Sequence, residues 1–238
     1  MTMTKLQSLV FENSTRCPRL VPLVGFVLAT LLLAGCGWLA ERWEWNQKLT
    51  VEVLVDGETV SGAAVSYVRW QEANALDHYP TAYRGEATVV DLGERGLLFA
   101  LIGEPTKYIA GYTLHQELGE RRSDYETLYP KIAQFRGVRD VPPERYPPLV
   151  TFTDIADPTT VKRVDPDDLA ATFGPGVALK RITLEITDEA VTEGEVEAVL
   201  GWLGDYYDKR LDGNRFGTIN TTNRFANDLS AGRFDTEK

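Results

Sequence analysis

The sequence predicts an α+β domain behind an N-terminal apolar signal or anchor helix. We expect an antiparallel sheet of two hairpins plus later strands, packed by one or two helices. Apolar and polar residues alternate on both sides of short turn signals, which is typical of paired strands. Further along the chain, apolar residues recur at the spacing of one helix face, which predicts the helical part.

The N-terminal segment is basic and then apolar. Lys5, Arg16 and Arg19 precede an uncharged stretch of 21 residues, 20–40. As a helix with a rise of 1.5 Å per residue, this stretch would be about 30 Å long, enough to cross the hydrocarbon core of a bilayer. A basic leader before an apolar run is typical of an export signal, so everything after Glu41 is predicted to be exported.

Cys36 stands directly after Leu33-Ala34-Gly35, and these four residues resemble the lipobox of bacterial lipoproteins. The resemblance implies a signal peptide over residues 1–35, cleavage before Cys36, and attachment of lipid, including palmitate, to Cys36. An uncleaved membrane helix over residues 20–40 is the alternative that stays open. Both interpretations place a membrane-anchored domain on the periplasmic side of a bacterial cell envelope.

The composition argues against several classes of function. After residue 35 the chain has 22 basic and 34 acidic residues, a net charge of −12, which repels nucleic acid. Cys17 and Cys36 are the only cysteines, so a lipidated Cys36 leaves no thiol for catalysis, a disulfide or a metal site. His78 and His115 are the only histidines, and they lack the spacing of a zinc site. We expect no cofactor and no metal.

The first part of the exported chain predicts a tether and then a hairpin. A tether is expected over residues 36–47, followed by a single α+β domain over 48–238. The alternating strand that begins at Lys48 leads into Asp56-Gly57, which predicts a type I′ turn and a returning strand. Ser61-Gly62-Ala63 in the returning strand predicts a bulge or a sheet edge.

The middle of the domain combines a second hairpin with an irregular segment. Residues 86–102 are predicted to form this hairpin, and its second strand, 97–102, is apolar throughout, which indicates cover on both faces. Six prolines interrupt the Tyr- and Pro-rich segment 103–148, where we expect short helices near 107–118 and 124–135.

The last third of the chain carries local helix and strand signals. Asp165 before a proline predicts a helix start, and Gly174 predicts its end. Residues 182–187 alternate as a strand does, and Thr192 to Glu195 fits a capping box. A helix with one apolar stripe follows, and then a loop-rich tail over 212–238. The stripe consists of Val196, Val199, Leu200 and Leu203.

Several motifs between Thr151 and Trp202 belong to a recognisable pattern. They are Thr153-Asp154-Ile155, the run from Arg163 to Leu169, Phe173-Gly174-Pro175-Gly176, and the run from Glu195 to Trp202. Lys48-Leu49-Thr50-Val51 and Asn223-Arg224-Phe225-Ala226-Asn227 extend the pattern. The stretch resembles an uncharacterised bacterial protein family with no assigned activity. The resemblance implies a shared fold and supplies no catalytic residues.

Carboxylates are abundant, and two groups of them have a structural explanation. Three aspartates at the predicted helix start fit helix capping better than catalysis. A later acidic cluster fits a solvated loop better than a calcium site, because the EF-hand spacing is missing. The first group is Asp165, Asp167 and Asp168, and the second is Asp205, Asp208, Asp212 and Asn214. Paired carboxylates can hydrolyse glycosides, so a glycan-directed hydrolase stays open as the alternative function, with no catalytic residue assigned.

Tyrosine is concentrated in the irregular segment, since seven of the ten tyrosines lie between positions 79 and 146. Two pairs are four residues apart and share a face if helical. With neighbouring arginines they predict a partner-binding surface, and rings that close a small core are the alternative. The surface consists of Tyr108, Tyr112, Arg121, Arg122, Tyr125 and Tyr129. We therefore expect a non-catalytic binding or structural lipoprotein whose partner is an envelope protein or glycan.

Overall fold

Two antiparallel sheets dominate the part of the chain that the computed structural model describes, residues 41–74 and 77–236. The first sheet has the order β3-β2-β1-β9-β6 and the second the order β4-β5-β7-β8. The first contains β1 (Arg42–Val55), β2 (Glu58–Asn74), β3 (Asp77–Arg84), β6 (Val138–Asp140) and β9 (Val177–Thr187). The second contains β4 (Thr88–Asp91), β5 (Leu97–Ala100), β7 (Leu149–Phe152) and β8 (Val161–Val164).

Five α-helices, all of them short, lie between or after the strands of the described residues. They are α1 (Glu104–Leu114), α2 (Tyr125–Gln134), α3 (Ala170–Phe173), α4 (Glu195–Val199) and α5 (Arg224–Asp228). The predicted α+β class is confirmed, and α1 and α2 fall in the segment where two short helices were expected. No helix in the described ranges is long and apolar enough to cross a membrane.

The predicted single sheet is wrong, because the two hairpins belong to different sheets. The reason lies in β5, whose apolar side chains alternate between two cores. Leu98 and Ala100 face the core that the first sheet and the helices share, whereas Phe99 and Leu101 face a second core. The C-terminal segment supplies the other side of that second core, with Leu203 and Phe234 fully buried. Strand β5, which is apolar on both faces, therefore lies between the two cores.

Strand β1 begins at Arg42, so residues 42–47, expected to belong to the tether, are part of the sheet. Trp43 and Trp45 are 8% and 6% exposed and lie in the first core. Their side chains point to the same face of β1 as those of Val51 and Val53, because residues two apart share a face of a strand. The signal peptide over 1–35, the alternative helix over 20–40 and Cys36 lie outside the described residues.

The turn between β1 and β2 forms as the sequence predicts. Asp56 and Gly57 have φ angles of 53° and 91°, the left-handed values that a type I′ turn needs. Val55 pairs with Glu58 directly across the turn. Asp56 also accepts hydrogen bonds from Arg95 at 2.9 and 3.1 Å, which ties the tip of the first hairpin to the second sheet.

Gly62 lies on a sheet edge, one of the two alternatives predicted for its strand. The pairing of β1 with β2 passes through Gly62 without a bulge, and β3 pairs with β2 only from Tyr67 onward. Strand β4 packs against this part of β2. A Cβ atom at Gly62 would lie 1.8 Å from the carbonyl oxygen of Val89, so only glycine lets the two backbones approach this closely.

Two helix starts differ from the prediction. Helix α3 begins at Ala170, and the carboxylate of Asp168 rather than Asp165 accepts a hydrogen bond in its first turn, from the Ala171 nitrogen at 3.1 Å. The capping box at Thr192 does not form, because the Thr192 hydroxyl accepts instead from the backbone nitrogen of Val65 at 2.8 Å. The short helix α4 then takes its cap from a distant residue, described below.

Candidate functional site

Helices α1 and α2, the loop between them, and strands β1 and β2 border an open cavity of about 320 Å³, which we call the aromatic pocket. Its walls come from residues spaced three and four apart on each helix, which share a helix face. The residues that line it are Trp45, Trp70, Lys107, Tyr108, Gly111, Tyr112, Arg122, Ser123, Tyr125, Leu128 and Tyr129.

Tyr129 is the centre of the aromatic packing at the base of the pocket. Its ring centroid lies 4.8 Å from that of Trp70, 5.2 Å from that of Tyr125, and 5.7 Å from those of Trp43 and Trp45. Only 3% of Tyr129 is exposed, and this burial raises the pKa of its hydroxyl far above the ordinary value. Tyr129 therefore belongs to the core as much as to the pocket.

The two lining tryptophans are held differently. The indole nitrogen of Trp45 donates to Gln47 Oε1 at 3.1 Å, and Gln47 Nε2 donates to the Thr106 carbonyl oxygen at 2.8 Å. This relay fixes the ring of Trp45 against the first turn of α1. Trp70 packs edge-on against Tyr108 at 4.9 Å, and its buried indole N–H has no hydrogen-bond partner in the described part of the chain. Such a donor is costly to leave unpaired.

The remaining tyrosines form the upper walls. Tyr108 and Tyr125 are half-buried and pack against the first core, and Tyr112 is half-buried on the same face of α1 as Tyr108. The structure thus brings all four predicted tyrosines to one cavity, with Arg122 among the lining residues. Arg121 is exposed and does not line the pocket.

Arginine side chains surround Tyr112 at the mouth. The guanidinium carbon of Arg145 lies 3.9 Å from the centroid of the Tyr112 ring, and that of Arg122 lies 4.7 Å from it. Both distances are within the range of cation–π attraction. Lys107, also at the mouth, pairs with Glu104 at 2.6 Å. None of the described residues that line the pocket is acidic.

Trp45 and Trp70 are the aromatic side chains lining the pocket that sequence reasoning missed. Both come from strands, and the tyrosine pattern that predicted the surface concerns only the helical segment. One signal was available for Trp45, because Trp43 and Trp45 alternate in phase with the apolar residues of the following strand. Nothing in the sequence indicates that Trp70 lies beneath α1 and α2, since this depends on how the sheet packs against the helices.

A second depression is bordered by the end of β3 and by the segments around Glu193 and Asp235, and it contains several acidic groups. Glu193, Glu197 and Asp235 line it. Behind it, Glu86 is 3% exposed, and its two carboxylate oxygens accept from the backbone nitrogens of Glu195 and Val196 at 3.1 and 3.2 Å. Burial raises the pKa of Glu86, although these two hydrogen bonds oppose the shift. Both oxygens of the Glu86 carboxylate therefore cap the start of α4.

Asp212, one residue of the acidic cluster of the tail, accepts several hydrogen bonds from nearby side chains. Its carboxylate accepts from the Asn214 side chain and from the Thr221 hydroxyl, each at 2.7 Å. Burial alone would raise the pKa of Asp212, but hydrogen bonds from Asn227, Thr221 and Asn214 lower it to about 2. Within residues 41–74 and 77–236, no three metal-ligating side chains converge, and Asp212 serves to hold the loop.

The fold and the pocket together define a class: an α+β protein with a preformed aromatic cavity between a sheet and two helices. The chain matches no known family, no curated protein and no solved structure. The assignment of a function therefore depends on the chemistry of the cavity itself.

Proposed function

We propose that the chain is an envelope-anchored lipoprotein whose exported domain is a non-catalytic binding protein, with the aromatic pocket as its binding site. One observation carries the proposal. Two tyrosines from α1 and two from α2 meet two tryptophans from the sheet around a single open cavity. Rings arranged in this way offer a large apolar contact area at little cost in side-chain entropy.

The size and chemistry of the cavity suit one apolar or aromatic group of a larger partner. At about 320 Å³ it is at the lower end of the range of ligand sites. A flat ring or a short aliphatic chain can contact Tyr108, Tyr125 and Trp70 at once. The bound group belongs to an envelope protein or to a glycan, the two classes of partner that the exported location supports.

The alternative, a glycan-directed hydrolase with paired carboxylates, has one observation in its favour. Glu86 is a buried carboxyl with a raised pKa, and Asp235 acts on it electrostatically. Both oxygens of Glu86, however, accept backbone hydrogen bonds from α4, and Asp235 accepts one from the Tyr207 hydroxyl at 3.1 Å. These contacts support a structural role, and we favour binding over hydrolysis.

Gly111 offers a sharp test of the pocket as the binding site. A Cβ atom at Gly111 would meet only Leu128, at 3.9 Å, an ordinary contact distance. Gly111→Leu should therefore fill the cavity without straining the backbone, and it also removes a glycine from the interior of α1, which favours the helix by up to about 1 kcal/mol. Gly111→Ala is the matched control, because it makes the same change to the helix but adds only one methyl group.

The experiment measures binding of a neutral apolar probe, 4-phenylbutyramide, to the full chain in lipid nanodiscs by saturation-transfer NMR. We expect binding to the parent and to Gly111→Ala, and its loss in Gly111→Leu with no fall in melting temperature. Equal binding by Gly111→Leu, or no binding by any of the three proteins, would contradict the proposal.

The anchor is tested separately by mass spectrometry of the protein extracted from bacterial membranes. The lipoprotein proposal predicts a mature chain that begins at Cys36 and carries lipid there. A chain that begins before residue 36, with an unmodified Cys36, would favour the membrane helix over residues 20–40.

A further inference from the structure

We infer that the group bound in the aromatic pocket carries a carboxylate next to its apolar part, an inference that rests on the proposed binding function. The apolar part lies among the rings, and the carboxylate lies at the mouth beside Arg122. This assigns a ligand class, an amphipathic carboxylate, to the pocket.

The first observation is the distribution of charge. The chain has a net charge of −10, yet the charged residues that line the pocket, Lys107 and Arg122, are both basic. Arg145 adds a third cation at the mouth, on the ring of Tyr112. A concentration of positive charge on an otherwise acidic protein favours an anion at this point over the rest of the surface.

The second observation is the state of the two arginines. Neither Arg122 nor Arg145 forms an ion pair with any residue in the ranges that the structure describes, although acidic residues are abundant in this chain. Lys107, by contrast, is already paired with Glu104. The charge that is free to meet a ligand at the pocket wall is therefore the guanidinium of Arg122.

The geometry favours a carboxylate over other anions. Stacking of a guanidinium on an aromatic ring uses its face and leaves the N–H groups along its edge free to donate. Those N–H groups match the two oxygens of a carboxylate in a bidentate pair. Tyr112 holds Arg122 in place beside the cavity, so little freedom is lost when the carboxylate binds.

The rings explain why the anion must be joined to an apolar group. Trp70 and Tyr129 form the base of the cavity, and both are nearly fully buried, so this end excludes a charged group. The cationic end and the apolar end of the same cavity are lined by neighbouring residues of α1 and α2, Tyr108 and Tyr125 included. One small ligand therefore contacts both.

The test compares three probes that share one ring and one chain length: 4-phenylbutyrate, 4-phenylbutyramide and 4-phenylbutylamine. Binding to the full chain in nanodiscs is measured by calorimetry. We expect the carboxylate to bind about tenfold more tightly than the amide, as a charge-assisted hydrogen bond provides, and the amine to bind most weakly.

Arg122→Gln and Arg121→Gln form a matched pair of variants, because both residues are exposed neighbours but only Arg122 lines the pocket. Arg122→Gln should remove the preference, so that the carboxylate binds no more tightly than the amide. Arg121→Gln should keep the full preference. Equal binding of amide and carboxylate to the parent, or a preference that survives Arg122→Gln, would overturn the inference while the pocket remains a binding site. Failure of all three probes would overturn both proposals.

Discussion

The carboxylate of Glu86 accepts a hydrogen bond from the backbone nitrogen of Val196 at 3.2 Å, across 110 positions of the chain. With a second bond from the Glu195 nitrogen, it satisfies the exposed N–H groups at the start of α4, which no nearby side chain caps. A residue between the two sheets thereby fixes the beginning of the C-terminal segment that covers the second core.

This contact predicts a specific pH dependence. Burial raises the pKa of Glu86 above its ordinary value of 4.5, so the folded protein holds this proton more tightly than the unfolded chain. The contribution of Glu86 to the free energy of unfolding therefore falls as the pH rises from its unfolded pKa through the raised one. The free energy of unfolding of the parent minus that of Glu86→Gln should then fall as the pH rises above about 4.5, measured by urea denaturation. Glu58→Gln, at an exposed turn residue, is the control. A difference that grows with pH would contradict this account.

Gly62→Ala should destabilise the protein strongly. The added methyl group would lie 1.8 Å from the Val89 carbonyl oxygen, so β2 and β4 must separate. We expect a loss of about 1–3 kcal/mol or more in the free energy of unfolding, as overpacking produces. Gly201→Ala is the matched control, since a Cβ atom there meets nothing within 4 Å. Equal melting temperatures for the two variants would show that the sheets tolerate the displacement.

The four tyrosines of the pocket should differ in how much each contributes to the free energy of unfolding. Tyr129→Ala should cost about 3–5 kcal/mol of stability by analogy with buried phenylalanine, because its ring contacts four others in the core. Tyr112→Ala should cost far less, since this half-buried ring stacks mainly on arginines at the mouth. Urea denaturation of the two variants tests this order. Similar losses would mean that Tyr112 is also a core residue, and its role in binding would then be lost.

The early start of β1 predicts where the domain can be cut. The fragment 41–238 should fold without residues 1–40, because it forms one compact unit. The fragment 48–238 should be far less stable, since it lacks Trp43 and Trp45 from the first core. Circular dichroism melts of both fragments provide the measurement. A stable 48–238 fragment would show that the two tryptophans are dispensable.

Local signals account for the parts of the fold that the sequence predicted. Asp56-Gly57 determines its turn because both residue types tolerate the positive φ angles that a type I′ turn needs. Gly174, with a φ of 91°, ends α3 for the same reason. The four-residue spacing of the tyrosines likewise placed Tyr108 with Tyr112 and Tyr125 with Tyr129 on shared helix faces.

Contacts between distant residues account for what it did not predict. Glu86 caps a helix that begins more than a hundred residues later, and no local pattern indicates this pairing. The division into two sheets depends on the C-terminal residues that pack against Phe99 and Leu101 in the second core. The tryptophan base of the pocket likewise arises only when β1 and β2 pack beneath the helices.

The position of β1 in the middle of its sheet determines when the domain can finish folding. Its first neighbour, β2, follows at once through a tight turn, but its other neighbour is β9, in which Ile182 pairs with Val51. A chain made from its N-terminus must therefore hold β1 and β2 with one edge unpaired until residue 187 has emerged. Pairing over so long a loop is slow, and an open apolar edge invites aggregation in the meantime. Until β9 pairs, this edge of β1 therefore stays open to pairing with a strand of another chain.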